Sequence, residues 1–135
     1  MSLNGLKFKW MAQLTSDKKK VGALIEKEAL EYLELQGLVL IEANFASKIG
    51  EIDLIMLDGE VYVFVEVRFR KISGYGDGAE SVTRSKQNKI IRTAKLYLQE
   101  KKIYDKVLCR FDVVAANLEQ EKSILWIKNA FWVKW

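Results

Sequence analysis

The sequence predicts a mixed α/β domain with the element order α-β-β-β-α-β-β. Three observations predict it: two stretches with helical apolar spacing, five runs rich in β-branched and aromatic residues, and turn-forming residues between them. The chain has 135 residues, 50% of them hydrophobic and 30% charged. That suits a single globular domain, which at this size buries roughly two-thirds of its unfolded surface.

The elements follow in order. Residues 1–17 mix Phe8, Trp10 and several lysines without a period, and are expected to form an arm or a short helix ahead of a single domain spanning 18–135. Gly22, Ile25, Glu26, Ala29, Tyr32 and Leu33 then fall on one helical face, and Gly37 stands where a helix-ending glycine belongs. Strands are expected over 38–45, 51–57 and 60–70, the last two joined by a hairpin at Asp58-Gly59. The glycine-rich stretch 73–78 lacks the lysine and hydroxyl residue that end a nucleotide-binding loop, so it reads as a mobile loop. A second helix is expected over 83–101, with Ile90, Ile91, Ala94, Tyr97 and Leu98 as its apolar stripe. Strands over 106–116 and 123–132 close the domain around a polar turn.

Composition excludes several chemistries. Histidine is absent, which rules out histidine-based triads and Cys/His zinc sites. The single cysteine, Cys109, permits no internal disulfide and reads as a reduced thiol in an apolar run. Any metal must therefore be held by oxygen, which favours Mg2+, Mn2+ or Ca2+. A net charge of +4 permits a polyanionic partner without requiring one. No apolar stretch reaches transmembrane length and the start lacks a secretion-signal pattern, so a cytoplasmic protein without a membrane partner is expected.

The informative residues are acids where apolar residues belong. In the third strand Val61, Val63, Val65 and Val67 share one face, while Tyr62, Phe64, Glu66 and Arg68 share the other. In the second strand Asp53 and Glu51 occupy the same face as Ile55 and Leu57. A hairpin turning at Asp58-Gly59 pairs Leu57 with Glu60 and Asp53 with Phe64, which sets Asp53 and Glu66 as diagonal neighbours at roughly 7–8 Å. Glu26 interrupts the apolar stripe of the first helix. It either reaches water and pairs with Lys18 or Lys19, or faces the sheet and joins the other two acids. Clustered carboxylates repel and raise one another's pKa unless a cation or arginines compensate. The spacing fits both a divalent-cation site and an ion-paired sheet edge.

The run Gly50-Glu51-Ile52-Asp53-Leu54-Ile55, followed by Val63-Phe64-Val65-Glu66-Val67-Arg68, resembles the YraN-like family of bacterial predicted endonucleases, relatives of the archaeal Holliday junction resolvases. Gly22, Glu26, Ala29, Gly37, Lys86, Ala94 and Arg110-Phe111-Asp112-Val113-Val114 extend the resemblance over about residues 20–132. It implies a restriction-endonuclease-like fold, with a central mixed sheet flanked by helices. It also implies hydrolysis of DNA phosphodiester bonds, on branched or single-stranded DNA, with Mg2+ or Mn2+ as cofactor. Asp53, Glu66 and the Val67 carbonyl would be the metal ligands, and Glu26 would complete the acidic site. The motif's catalytic lysine position is filled by Arg68, which stays protonated and cannot act as a base. Either Arg68 serves electrostatically, or a lysine such as Lys86 reaches in, or catalysis is lost and a non-catalytic nucleic-acid-binding protein remains. Lys71, Arg84, Lys86, Lys89 and Arg92 are the expected phosphate-contacting surface. The aromatic C-terminus, with Trp126, Phe131, Trp132 and Trp135, suits core packing or a homodimer contact.

Overall fold

The computed structural model describes residues 18–69, 82–117 and 123–133. Seven elements appear in the predicted order: α1 (Lys18–Leu35), β1 (Val39–Ala46), β2 (Glu51–Asp58), β3 (Val61–Phe69), α2 (Arg84–Glu100), β4 (Cys109–Asn117) and β5 (Ser123–Phe131). The arm at 1–17, the glycine-rich stretch 73–78, Lys71 and Trp135 lie outside the described residues.

The strands form one sheet in sequence order, antiparallel throughout except for the parallel pair β3 and β4. That pair needs a crossover, and α2 supplies it. Alternation along β3 sends successive side chains into two separate cores. Val63 and Val65 pack with Leu54, Met56, Val114 and with Ala29 and Leu33 of α1. Phe64 packs with Ile55, Phe111, Val113 and with Ile90, Ala94, Tyr97 and Leu98 of α2. The sheet is thus covered by one helix on each face, a mixed α/β fold of the restriction-endonuclease-like kind.

Both helices end or begin on sequence signals. Gly37 takes φ of +100°, its N–H donates to the Glu34 carbonyl at 3.0 Å, and the Leu38 N–H donates to the Leu33 carbonyl at 3.1 Å. This is the paired closure that a glycine just past a helix permits. Thr83 caps α2, its Oγ1 accepting from the Lys86 N–H at 3.1 Å.

The hairpin differs from the expected register. Asp58 pairs with Val61, Leu57 with Tyr62 and Ile55 with Phe64, so Gly59 and Glu60 form the turn. Gly59, at φ +61°, occupies the first turn position, which type II′ hairpins reserve for glycine. The sequence pattern located the turn but assigned it to Asp58 and Gly59. The two-residue slip preserves the faces and moves Asp53 from opposite Phe64 to opposite Glu66, one step beyond the Leu54–Val65 pair. The strand expected from 106 begins at Cys109 instead: Lys106 donates its N–H to the Ile103 carbonyl in a turn, and Leu108 is exposed.

On the sheet face opposite Glu66, β4 and β5 share a polar core. Asp112 is fully buried. Its carboxylate accepts from Arg110 Nε at 3.0 Å, Trp126 Nε1 at 3.0 Å and the Asn129 N–H at 2.9 Å. Arg110 Nη1 also reaches Asp58 at 2.8 Å. Asn129 adopts φ of 55° beside a break in the β4–β5 register, so Asp112 fastens an irregular strand. Asp112→Ala should lower unfolding free energy by about 3 kcal/mol or more, because it deprives Arg110 Nε, Trp126 Nε1 and the Asn129 N–H of their buried acceptor, leaving Arg110 only its pairing with Asp58. Denaturant titration checks the loss, and divalent-cation binding by the folded fraction should be unchanged.

Candidate metal centre and nucleic-acid interface

β2 and β3 are paired up to Leu54 and Val65, then part. The gap is bridged by a side chain: Asp53 Oδ2 accepts from the Val67 N–H at 2.8 Å, satisfying a backbone donor that the ladder no longer serves. The start of β2 is fixed by a compact turn, in which Ser47 Oγ accepts from the Ile49 and Gly50 N–H groups at 3.1 and 3.3 Å and donates to the Gly50 carbonyl. Gly50 lies against α2: an added Cβ would sit 3.4 Å from Thr93 Oγ1, at contact distance.

Asp53 and Glu66 therefore stand side by side. Glu66 is buried, with 5% of its surface exposed, although it carries a carboxylate. The Asp53 carboxyl is pushed up to about 8, first by burial, then by the charge of Glu66, with a smaller push from Glu26 and a hydrogen bond between the two carboxyl groups; the Val67 N–H opposes the rise. Glu26, from α1, lies within electrostatic reach. Its pKa is also raised, by burial and then by Glu51 and Glu66, while a hydrogen bond from the Asn44 side chain pulls it down. Glu26 Oε1 is buried without a hydrogen-bond partner.

Two cations face the pair. Lys86 Nζ lies 2.8 Å from Glu66 Oε1, and Arg68 Nη1 lies 3.8 Å from the same atom. Lys86 occupies the first turn of α2, where the Thr83 cap fixes the backbone that carries it. A cleft of about 390 Å³ opens above, lined by Gly50, Glu51, Asp53, Glu66, Thr83, Ser85, Lys86, Lys89 and Ile90. Carboxylates thus line one wall, while hydroxyls and lysines line the other.

Of the sequence-predicted residues, the structure brings Asp53, Glu66, Arg68 and Lys86 together and sets Glu26 at the margin. Val67 contributes its N–H to Asp53. Lys89 lines the cleft, while Arg84 and Arg92 are exposed on the same helix outside its lining. Among the described residues, no three Cys, Asp or Glu side chains are arranged to hold a metal ion unaided. Glu51, Thr83, Ser85 and Asn44 were missed. Glu51 was legible as an acid on the Asp53 face, and the hydroxyls as part of a helix start. Asn44 left no signal.

Comparison with known proteins gives a concordant result. The sequence model of the uncharacterised protein family UPF0102 matches residues 25–116, which include every acid of the site. A UPF0102 protein of Coxiella burnetii is 45% identical over 117 residues, covering 87% of this chain and 96% of its own. One from Psychromonas ingrahamii is 49% identical over 110 residues, covering 82% and 88%. Another, from Pseudomonas syringae, is 46% identical over 118 residues, covering 86% and 96%. With relatives this similar along most of their length, the chain belongs to the UPF0102 family.

Proposed function

We propose that this protein is a metal-dependent endonuclease that hydrolyses DNA phosphodiester bonds, working in the cytoplasm. The observation that carries this is the Asp53–Glu66 pair: two adjoining carboxyl groups, largely buried, at the wall of an open cleft whose other wall is basic. Two carboxylates in contact away from water are costly, and a cation between them removes that cost. The donor set suits Mg2+ or Mn2+, which keep several waters and need only one or two carboxylates. The absence of a three-acid cage among the described residues is therefore compatible with these ions. The orphaned Glu26 Oε1 offers a further oxygen.

Asp53 and Glu66 would hold the ion, aided by the Val67 carbonyl and Glu26. Bound there, it would supply Lewis-acid activation of the phosphate and of the attacking water. Lys86 Nζ would then place its charge at the phosphate as negative charge grows. Arg68 would add charge without taking a proton. Thr83, Ser85 and Lys89 would position the flanking backbone.

No described helix is long and apolar enough to cross a membrane. The basic residues of α2 give a second measurable expectation. Each phosphate contact contributes about 0.9 to the slope of log affinity against log salt concentration. Lys89→Ala should reduce that slope by about one unit on every DNA sequence tested. An unchanged slope would remove Lys89 from the interface.

The nuclease itself is tested with labelled duplex, single-stranded, flap and four-way-junction DNA and with RNA, each with Mg2+, Mn2+ or chelator. Cutting that needs metal and vanishes in Asp53→Ala is expected. A second reading, binding without cutting, is favoured by Arg68 at the motif's lysine position; it predicts DNA binding unchanged in Asp53→Ala and no product with any metal.

A further inference from the structure

We infer that Lys86 is a cation-gated phosphate contact: its ammonium is held by Glu66 in the metal-free protein and is freed for a DNA phosphate once a divalent ion neutralises that carboxylate, so that metal and DNA bind cooperatively. The inference rests on the proposed metal site and DNA substrate and adds the link between them.

Three observations carry it. First, Lys86 Nζ lies 2.8 Å from Glu66 Oε1, a direct ion pair to a residue with only 5% of its surface exposed. The ammonium thus neutralises the carboxylate that a divalent ion would contact at roughly 2.0–2.6 Å. Second, the lysine is anchored at its backbone alone. Thr83 Oγ1 accepts from the Lys86 N–H at 3.1 Å in the first turn of α2, while the Lys86 side chain is 47% exposed. A flexible four-carbon stem carrying a compact charge can swing from such an anchor without moving the helix. Arg68, 3.8 Å from the same oxygen, is 25% exposed and ends in a planar group, so it has less room to leave. Third, the swing has a destination. Lys86 lines the open cleft together with Ser85 and with Lys89, about one turn further along α2.

The two cations cannot share Glu66 without cost, because an ion and an ammonium a few ångströms apart repel. With Asp53 and Glu66 engaged by the ion, exposed Glu51 is the carboxylate left to Lys86 among the described residues of the lining. A solvated pair with Glu51 is worth little. A DNA phosphate is the better partner, since each contact with it also releases a condensed counterion. One positive charge of α2 is therefore spent on the protein's own carboxylate before the ion binds and reaches the DNA afterwards. Such coupling is reciprocal: the ion tightens DNA by the factor by which DNA tightens the ion.

The test measures DNA affinity against salt concentration for wild type and Lys86→Ala, in chelator and in saturating Mn2+. The probe is the best-bound DNA of the cleavage panel, made with phosphorothioate linkages, which keep the backbone charge and resist hydrolysis. Mn2+ should tighten wild-type binding about tenfold or more. The slope of log affinity against log salt should differ between wild type and Lys86→Ala by about 0.7–0.9 in Mn2+ and by close to nothing in chelator. A metal-free arm checks the same hold on the lysine. Asp53→Asn/Glu66→Gln keeps the shape of the pair without its charge, so adding Lys86→Ala to it should lower the slope in chelator already. A Lys86 contribution equal in chelator and Mn2+ overturns the inference and leaves the metal site standing, as does its absence from the neutral pair. No rise in Tm with Mn2+ marks failure of the metal site itself, and the gate falls with it. A wild type that binds no DNA of the panel in either buffer overturns the DNA reading and the gate together.

Discussion

Asp53→Asn is expected to abolish cleavage, by at least about a thousandfold, and to make the metal-free protein more stable. The first effect follows from removing a charged oxygen that, under the proposed function, would hold the metal ion. The second follows from the raised pKa. Asp53 binds its proton more tightly in the folded protein than in the unfolded chain, about 8 against an ordinary 3.8. Its contribution to stability is therefore fully present below about pH 4 and is lost as pH rises through about 8. Above that pH the folded state carries a penalty on the order of a few kcal/mol, which the neutral amide avoids. Glu26 is shifted in the same direction and adds to the slope. Thermal melts of wild type and Asp53→Asn in chelator should coincide near pH 4 and separate steadily towards pH 8, the variant melting higher. A residue kept for packing or ordinary ion pairing would give the opposite sign. An acid that costs stability where it sits is the expected signature of a site built for a ligand.

Lys86→Ala should lower the cleavage rate about 100- to 1000-fold while leaving Mn2+ binding intact or tighter. Losing one donor aimed at developing charge has an effect of that size. Lys86 Nζ also sits against Glu66 at 2.8 Å, as a bound cation would, so its removal relieves competition for that oxygen. Arg68 cannot substitute fully, because it stands 3.8 Å away and its planar guanidinium presents charge differently. Arg68→Lys separates the two roles. If Lys86 supplies the lysine function from α2, Arg68→Lys changes the rate little. A large gain in Arg68→Lys, with little loss in Lys86→Ala, would return that function to β3 and mark the native site as impaired.

Much of the architecture is legible in the sequence because it rests on local rules. The period of Ile25, Ala29 and Leu33, the glycine after α1, the threonine before α2 and the valines of β3 each act within a few residues. The site was partly legible for the same reason: acids on an otherwise apolar face stand out against a period of two. What escaped depends on long-range placement. The Asp58-Gly59 signal marks a hairpin without stating which two residues turn, and that choice decided whether Asp53 faces Phe64 or Glu66. Lys86 reads as one lysine among several on a basic helix. Only the packing of α2 across the sheet brings it to Glu66. Asn44 reads as a poor strand former, since a left-handed turn inside a strand has no marker beyond the asparagine itself. Asp112 was visible only within a resemblance, because its partners Trp126 and Asn129 come from the next strand.

The claim that the Asp53–Glu66 pair is a divalent-cation site is tested most directly by melting wild type and Asp53→Asn at neutral pH against increasing Mn2+. A bound ion stabilises by mass action, about 2.7 kcal/mol at one hundred times its dissociation constant. For a domain of this size that is a rise in Tm of roughly 10 °C. Wild type should show that concentration-dependent rise, and Asp53→Asn should start higher and stay flat. Two parallel, unresponsive curves would show that the carboxylates are held by Lys86 and Arg68 alone and that no metal belongs between them.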